Sequence, residues 1–185
     1  MTVAAAGPRA RGLLLRPFVE GDAPALVEAY RDATLRRFTR VPVDDAEQAA
    51  HWLGLQERGR AEGTRYSFAV LEEGVLVANV ALKRGVPGGP VAEVGYWTAA
   101  AARGRGVAPR AVEAVTAWAF RAFAAEGLDR IDLLHQVDNQ ASCRVAVKSG
   151  YALREVLTAL PPEFPLDGHR HSRNRLDGSG DGRSE

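Results

Sequence analysis

Arg103, Gly104, Arg105 and Gly106, followed by Val107, Ala108 and Pro109, stand between a strand-like run ending at Trp97 and the longest helical pattern of the chain. Residues of these types in this order can cradle an anion. Glycine lets main-chain N–H groups approach a ligand with no Cβ in between. A helix start adds unpaired donors and about half a positive charge. Pro109 suits the first helical turn, where its missing N–H would go unused. Arg103 and Arg105 add two further charges, and the chemistry implied is phosphate binding. The common nucleotide motifs do not fit. No lysine or hydroxyl follows Gly106, as a Walker A loop requires, and Pro109 stands where a dinucleotide fingerprint has its third glycine. One Arg-Gly-Arg-Gly run without interleaved aromatics argues against RNA. A plain glycine-containing loop that binds nothing is the alternative.

Few other side chains offer reactivity. Glu93 lies on the strand before the loop, where a carboxylate can act as a base or simply pair with a cation. Asn139 opens a short helix, as a cap or as a ligand contact, and Ser142 follows one turn on. Cys143 is the one cysteine, so no internal disulfide can form, and no Cys-based zinc knuckle fits. With no histidine near it in sequence, it reads as a small apolar residue. His51, His135, His169 and His171 lack a metal spacing such as H-x-x-x-H. His169 and His171 share a face if their segment is a strand. Two ligands without a nearby carboxylate or cysteine make a weak site, so no metal is expected.

The elements that must position these residues follow from periodicity. Leu13 to Leu15 form a short apolar run ended by Pro17. Asp22 is placed to cap a helix bearing Leu26, Val27 and Tyr30, with Pro24 in its first turn. Asp44 and Glu47 resemble a capping box opening a helix through Trp52, Leu53 and Leu55 to about Gly59. Tyr66, Phe68 and Val70 alternate with small residues, Glu73-Gly74 turns the chain, and Val75 to Leu82 returns. A Gly/Pro loop (85–90) precedes a strand from Val91 to Trp97, which completes an antiparallel meander. Alternation puts Glu93 on the face of Gly95 and Trp97 unless a bulge at Gly95 resets the register. Ala108 to Ala125 is helical, with Val112, Val115, Trp118 and Ala119 on one side, and Gly127 ends it. Ile131 to Leu134, a helix from Asn139 to Ser149, and Tyr151 to Leu157 follow, and their order predicts parallel pairing in this half. A last strand is expected near His171 to Leu176.

At 185 residues the chain suits one domain, 12–176, with a flexible lead-in (1–11) and a disordered Gly/Ser-rich tail (177–185). Hydrophobic residues make up 46% and charged ones 25%, which excludes a wholly disordered chain. The formal net charge is +1, giving no general drive toward nucleic acid or membrane. All but two of the basic residues are arginine, a bias expected of a GC-rich bacterial genome. No apolar run is long enough to span a bilayer, and no signal-peptide pattern opens the chain. A cytoplasmic protein is expected.

Arg103-Gly104-Arg105-Gly106-Val107-Ala108 resembles the [RQ]-x-x-G-x-[GA] pyrophosphate loop of the GNAT superfamily of acyl-CoA-dependent N-acyltransferases. Ala92 to Trp97 and the Asn139-Gln-Ala-Ser142…Lys148-Ser-Gly150-Tyr151 stretch look like its RimJ/RimL-type branch. The likeness spans roughly residues 12 to 176. It implies a mixed α/β fold with a central, mostly antiparallel seven-stranded sheet, splayed between strands 4 and 5 and flanked by four helices. It implies acetyl-CoA as co-substrate, direct transfer to a primary amine in a ternary complex, and no metal. The acceptor would be a small metabolite or antibiotic, or a protein N-terminus. Transfer from succinyl-CoA or another acyl-CoA, and CoA binding without turnover, are the alternatives. Homodimers are common in such families.

The resemblance also implies roles. Main-chain groups of Arg103, Gly104, Arg105, Gly106, Val107 and Ala108 would bind the CoA pyrophosphate, and Asn139 and Ser142 the pantetheine arm. Backbone N–H groups near Tyr96, Trp97 and Thr98 would polarise the thioester carbonyl. Glu93 would act as base through water. Many members carry a tyrosine acid four residues after the position of Ser142, where this chain has Ala146, so Ser142 would substitute as proton donor. Phe38, Arg40, Trp52 and His171 are candidate substrate contacts, and Tyr151 reads as core packing.

Overall fold

The computed structural model describes residues 7–39 and 41–178. Arg40, the lead-in up to residue 6 and the tail from 179 lie outside the described residues. Residues 175–178 of the described C-terminal end form a 3-10 turn.

The strands are β1 (Leu14–Pro17), β2 (Arg65–Glu72), β3 (Val75–Lys83), β4 (Val91–Thr98), β5 (Arg130–Gln136), β6 (Ala152–Leu157) and β7 (Gly168–Asn174). The helices are α1 (Ala23–Tyr30), α2 (Ala33–Phe38), α3 (Ala46–Ala61), α4 (Val107–Ala122) and α5 (Gln140–Lys148). They build one seven-stranded sheet in the order β1-β2-β3-β4-β5-β7-β6. The meander β2-β3-β4 is antiparallel, as its alternation requires. Glu73 and Gly74 both have positive φ (51° and 82°), so the tight β2–β3 turn matches the right-handed twist of its strands.

Two expectations about this architecture change. The second half is parallel only where β4 meets β5. β7 inserts between β5 and β6 and pairs antiparallel with both, so the two strands joined by α5 never touch as a ladder. Among the described residues five helices flank the sheet, not four, because the segment after α1 folds into the six-residue α2, capped by Asp32, whose carboxylate accepts from the Leu35 N–H at 2.8 Å.

Caps differ in detail. Asp45 caps α3, accepting from the Gln48 N–H at 2.8 Å, while Gln48 Oε1 reaches back to the Asp44 N–H at 2.9 Å. The reciprocal capping is therefore shifted one residue along from Asp44 and Glu47. Asp22 makes no cap to α1; it takes two hydrogen bonds from Arg16, at 2.7 and 2.8 Å, and one from the Val19 N–H. The bond from Arg16 holds the Asp22 carboxyl below its usual range. Asp45→Ala is expected to cost about 1 kcal/mol, as loss of a helix N-cap does, read as a lower urea midpoint at unchanged slope.

Alternation along β4 divides the core. Ala92, Val94 and Tyr96 pack with α4 and α5, whereas Trp97 packs with α1, α2 and α3 on the other face. On the first face Trp118 meets Tyr66, Phe68 and Phe123 with ring centroids 5.1–5.6 Å apart across this group. Those tilted and edge-on contacts anchor α4, and hence the loop that precedes it, to the sheet. Among the described residues no helix is long and apolar enough to cross a membrane.

Candidate functional site

The site begins where the sheet opens. β4 and β5 share ladder partners only over Val91–Arg130, Ala92–Ile131 and Glu93–Asp132. Beyond Glu93 the two strands diverge, and the β4 edge from Val94 to Thr98 keeps main-chain groups that no β5 residue meets. Unpaired strand edges are ready partners for an extended amide-bearing ligand.

At one end of this opening stand the glycine-rich loop and α4. Gly104 and Gly106 have φ of +76° and +72°, and a Cβ on either would touch nothing within 4 Å. The loop thus folds as only glycine does without strain, with free space on its outer side. Gly106 caps α4 without any side-chain bond, so the first-turn donors of a 16-residue helix stay available. A cleft of about 430 Å³ runs from this loop along the splay to α5. That volume is typical of small-molecule sites.

The cleft gathers Tyr96, Trp97, Thr98, Arg103, Gly104, Gly106, Val107, Ala108, Asn139, Ser142 and Phe38, the residues singled out from sequence. Arg105 does not line it; its guanidinium pairs with Glu72, which Arg110 also approaches at 3.5 Å. Arg103 pairs with Asp32, and this bond, more than any other influence, holds the Asp32 carboxyl below its usual range. The two loop arginines are thus bridged to acidic partners, and the cradle's free donors are those of its main chain.

At the other end the Tyr96 hydroxyl and Ser142 Oγ lie 3.0 Å apart, a hydrogen bond that joins β4 to α5 across the splay. Burial pushes the Tyr96 phenol up to about 12. Asn139 caps α5 through its side-chain oxygen, which accepts the Ser142 N–H at 3.1 Å, leaving its amide nitrogen free to serve a ligand.

Other sequence candidates fall elsewhere. The β3–β4 register runs without a bulge at Gly95, so Glu93 does share a face with Gly95 and Trp97. Its carboxylate takes a 2.6 Å ion pair from Lys83 and does not line the cleft. Trp52 is buried at 4% exposure against Phe18, with centroids 4.9 Å apart, so it is a core residue. Tyr151 is core as expected, at 1% exposure. His171 is likewise buried, and it does not line the cleft. Instead it meets His135, His169 and Cys143. Cys143 has no histidine near it in sequence, yet the fold brings it to His135, His169 and His171, so His169 and His171 do have further ligand groups beside them in space. His51 is exposed on α3.

Some lining residues escaped the sequence reading. Arg144 and Lys148 bring two cations to the cleft from successive turns of α5, and Thr34, Leu35 and Thr39 line it from around α2. The 3–4 spacing that links Ala141, Arg144, Val145 and Lys148 on one face of α5 was the available signal. α2 offered none, being too short for a period to show.

Comparison with known proteins accords with this geometry. The family model for the acetyltransferase (GNAT) domain matches residues 12–152. No curated protein matches the chain in sequence. Among solved structures, RimL, a ribosomal L7/L12 alpha-N-protein acetyltransferase in complex with coenzyme A, superposes with a TM-score of 0.80 at 20% identity over 90% of this chain and 96% of its own. Mycobacterium smegmatis RimJ in complex with CoA-disulfide gives 0.79 at 19% identity, covering 92% and 87%. The microcin C7 self-immunity acetyltransferase MccE, in complex with acetyl-CoA and AMP, gives 0.77 at 16% identity, covering 89% and 93%. At such identities these structures share the fold. A domain match over most of the chain, on a sheet splayed at the expected strands, makes this protein a member of the GNAT family of acyl-CoA-dependent N-acyltransferases.

Proposed function

We propose that the chain transfers the acetyl group of acetyl-CoA directly to a primary amine, as RimJ/RimL-type enzymes do. One observation carries this reading: a single cleft joins a glycine-rich helix start, an unpaired β4 edge and a Tyr96–Ser142 pair. The open Cβ positions of Gly104 and Gly106 leave room for a diphosphate against main-chain donors. Arg144 and Lys148 supply cations for the remaining phosphate charge. Asn139 and the β4 edge offer amide partners to the pantetheine arm.

The thioester of the bound co-substrate supplies an activated acyl carbon. The rest is the work of this chain's residues. Main-chain N–H groups near Tyr96 to Thr98 donate to the carbonyl oxygen as negative charge develops there. Tyr96 donates a hydrogen bond to Ser142 Oγ, which frees the serine hydrogen for the departing sulfur; the pair regains that proton from solvent as Glu93 releases the amine proton to it. Glu93 takes the amine proton through water, its carboxylate kept in place by Lys83. The acceptor is a protein N-terminus, as in the named RimL neighbour, or a small amine; Phe38 and Thr39 border the acceptor end.

The test is thiol release from acetyl-CoA and succinyl-CoA across a panel of N-terminal peptides and small amines. Turnover with any amine supports the proposal and identifies the donor; CoA binding without turnover overturns it in favour of a binding module. Ser142→Ala is expected to lower kcat about tenfold. The effect is modest because a thiol of pKa ~8.5 leaves as an anion with little help. The loss should shrink as pH rises past that value. A kcat equal to wild type at every pH removes Ser142 as donor.

A further inference from the structure

Beneath α5, away from the residues that line the cleft, lies a second cluster. His135 is the penultimate residue of β5, His169 stands directly opposite it on β7, and His171 lies two residues further along β7 on the same face. Cys143 comes down from α5 onto them. One ligand atom from each of the four residues lies within 4.8 Å of every other. The imidazole centroids are 5.2, 5.2 and 6.0 Å apart, so the rings surround a common point.

The protonation pattern is the telling part. His135 Nδ1 sits 2.8 Å from the Gln136 carbonyl and His171 Nδ1 3.3 Å from the Tyr151 carbonyl. A carbonyl only accepts, so both Nδ1 atoms carry the hydrogen and both Nε2 atoms present bare lone pairs. Those two Nε2 atoms and His169 Nδ1 are all buried with no hydrogen-bond partner. Three buried, unpartnered ring nitrogens in one group of three imidazoles and a thiol are costly. A cation among them removes the cost. Fixing the far nitrogen of each imidazole on a carbonyl is also how metal-binding histidines are oriented.

We propose that His135 Nε2, His169 Nδ1, His171 Nε2 and Cys143 Sγ bind one divalent transition-metal ion, with zinc the best fit. Three imidazoles and a thiolate suit a borderline-soft ion, and four protein ligands make a closed, structural tetrahedron rather than an open catalytic one. A tetrahedron with bonds of about 2.0–2.3 Å has edges of about 3.3–3.7 Å, so the cluster closes by roughly 1 Å on binding. Cys143 gives up its thiol proton to solvent as it ligates. The ion would tie β5, β7 and α5 together, and so fix the helix that carries Asn139 and Ser142. This site is independent of the acyl-transfer reading.

The test uses the full chain, stripped with chelator and dialysed against zinc or cobalt. We expect one bound equivalent per chain. Cobalt should give a thiolate-to-metal charge-transfer band and the intense visible bands of a tetrahedral site. Cys143→Ala should abolish the charge-transfer band. Cys143→Ala and His169→Gln should each weaken zinc binding by more than about 100-fold, the upper range for losing a mere outer-shell partner. Zinc should raise the melting temperature of the parent chain and of neither variant. Cys143 is half-buried, so its alanine variant keeps a folded control if the histidine change does not. No retained metal, cobalt spectra without the thiolate band, or zinc affinity equal in parent and Cys143→Ala each overturns the proposal.

Discussion

Gly106→Val is expected to abolish detectable coenzyme A binding while the protein still folds. Gly106 holds φ +72°, the left-handed region a β-branched residue avoids, and that strain costs about 1–3 kcal/mol. Strain alone would lower the melting temperature, not empty the site. The larger effect is steric. No protein atom lies within 4 Å of the added Cβ, and Gly106 lines the cleft, so the side chain takes space that a diphosphate needs. Losing two charge-assisted main-chain bonds is worth about 3–6 kcal/mol, a hundredfold or more in Kd. Ala108→Trp, on the first turn of α4, should do the same by bulk without the backbone strain. Gly88→Val supplies the control. That glycine has φ +79° and open surroundings in the β3–β4 loop, so it should lose comparable stability and no CoA affinity. Calorimetry on the three variants separates the two effects. If either cleft variant binds CoA as tightly as the parent, the diphosphate sits elsewhere.

The same loop shows what could be read from residues alone. A turn that needs glycine, a proline in the next helical turn and a strand before it are local signals, and local signals survive folding. The β2–β4 meander and α4 were legible for that reason: alternation, a Glu73-Gly74 turn and a 3–4 apolar stripe each act within one element. The position of β7 was not. Its insertion between β5 and β6 is a long-range choice, and a strand–helix–strand order argues for direct parallel pairing until a third strand competes. The histidine cluster was missed by the same logic. His135 and His169 become neighbours only through the β5–β7 register, and α5 then delivers Cys143, so no linear spacing announces the group. Within the site, the cleft side of α5 was only half read. Asn139 and Ser142 were found through their motif, whereas Arg144 and Lys148 needed the helical period carried further along.

Glu93→Gln is expected to lower kcat at neutral pH, by about tenfold for an α-amine acceptor and by about 10³-fold for a lysine-like one, with Kd for CoA unchanged. The second half of that statement follows from position, because Glu93 does not line the cleft. The first depends on water linking it to the acceptor. Glu93 belongs to a charged row across the sheet, in which Arg65, Lys83, Glu93 and Asp132 occupy register partners on β2, β3, β4 and β5. Lys83 Nζ binds Glu93 Oε1 at 2.6 Å and lies 3.2 Å from where a Gly95 Cβ would be, so cation and carboxylate sit together on the Trp97 face. Glutamine keeps the shape and can still accept from Lys83, but it cannot take a proton. The deficit should then close as pH rises through the pKa of the acceptor, since a free amine attacks without first giving up a proton and water can take the one lost afterwards. An α-amine, with pKa near 7.7–8.0, is about a tenth free at pH 7, and recovery should be nearly complete by pH 9. A lysine-like amine, with pKa near 10.4, is free in only about one molecule in 2,500, so its loss should persist well above pH 9. The profile of one variant therefore tests the base and sorts protein N-termini from alkyl amines. A variant that turns over like the parent at pH 7, while Lys83→Met loses only stability, would reduce the pair to a structural salt bridge.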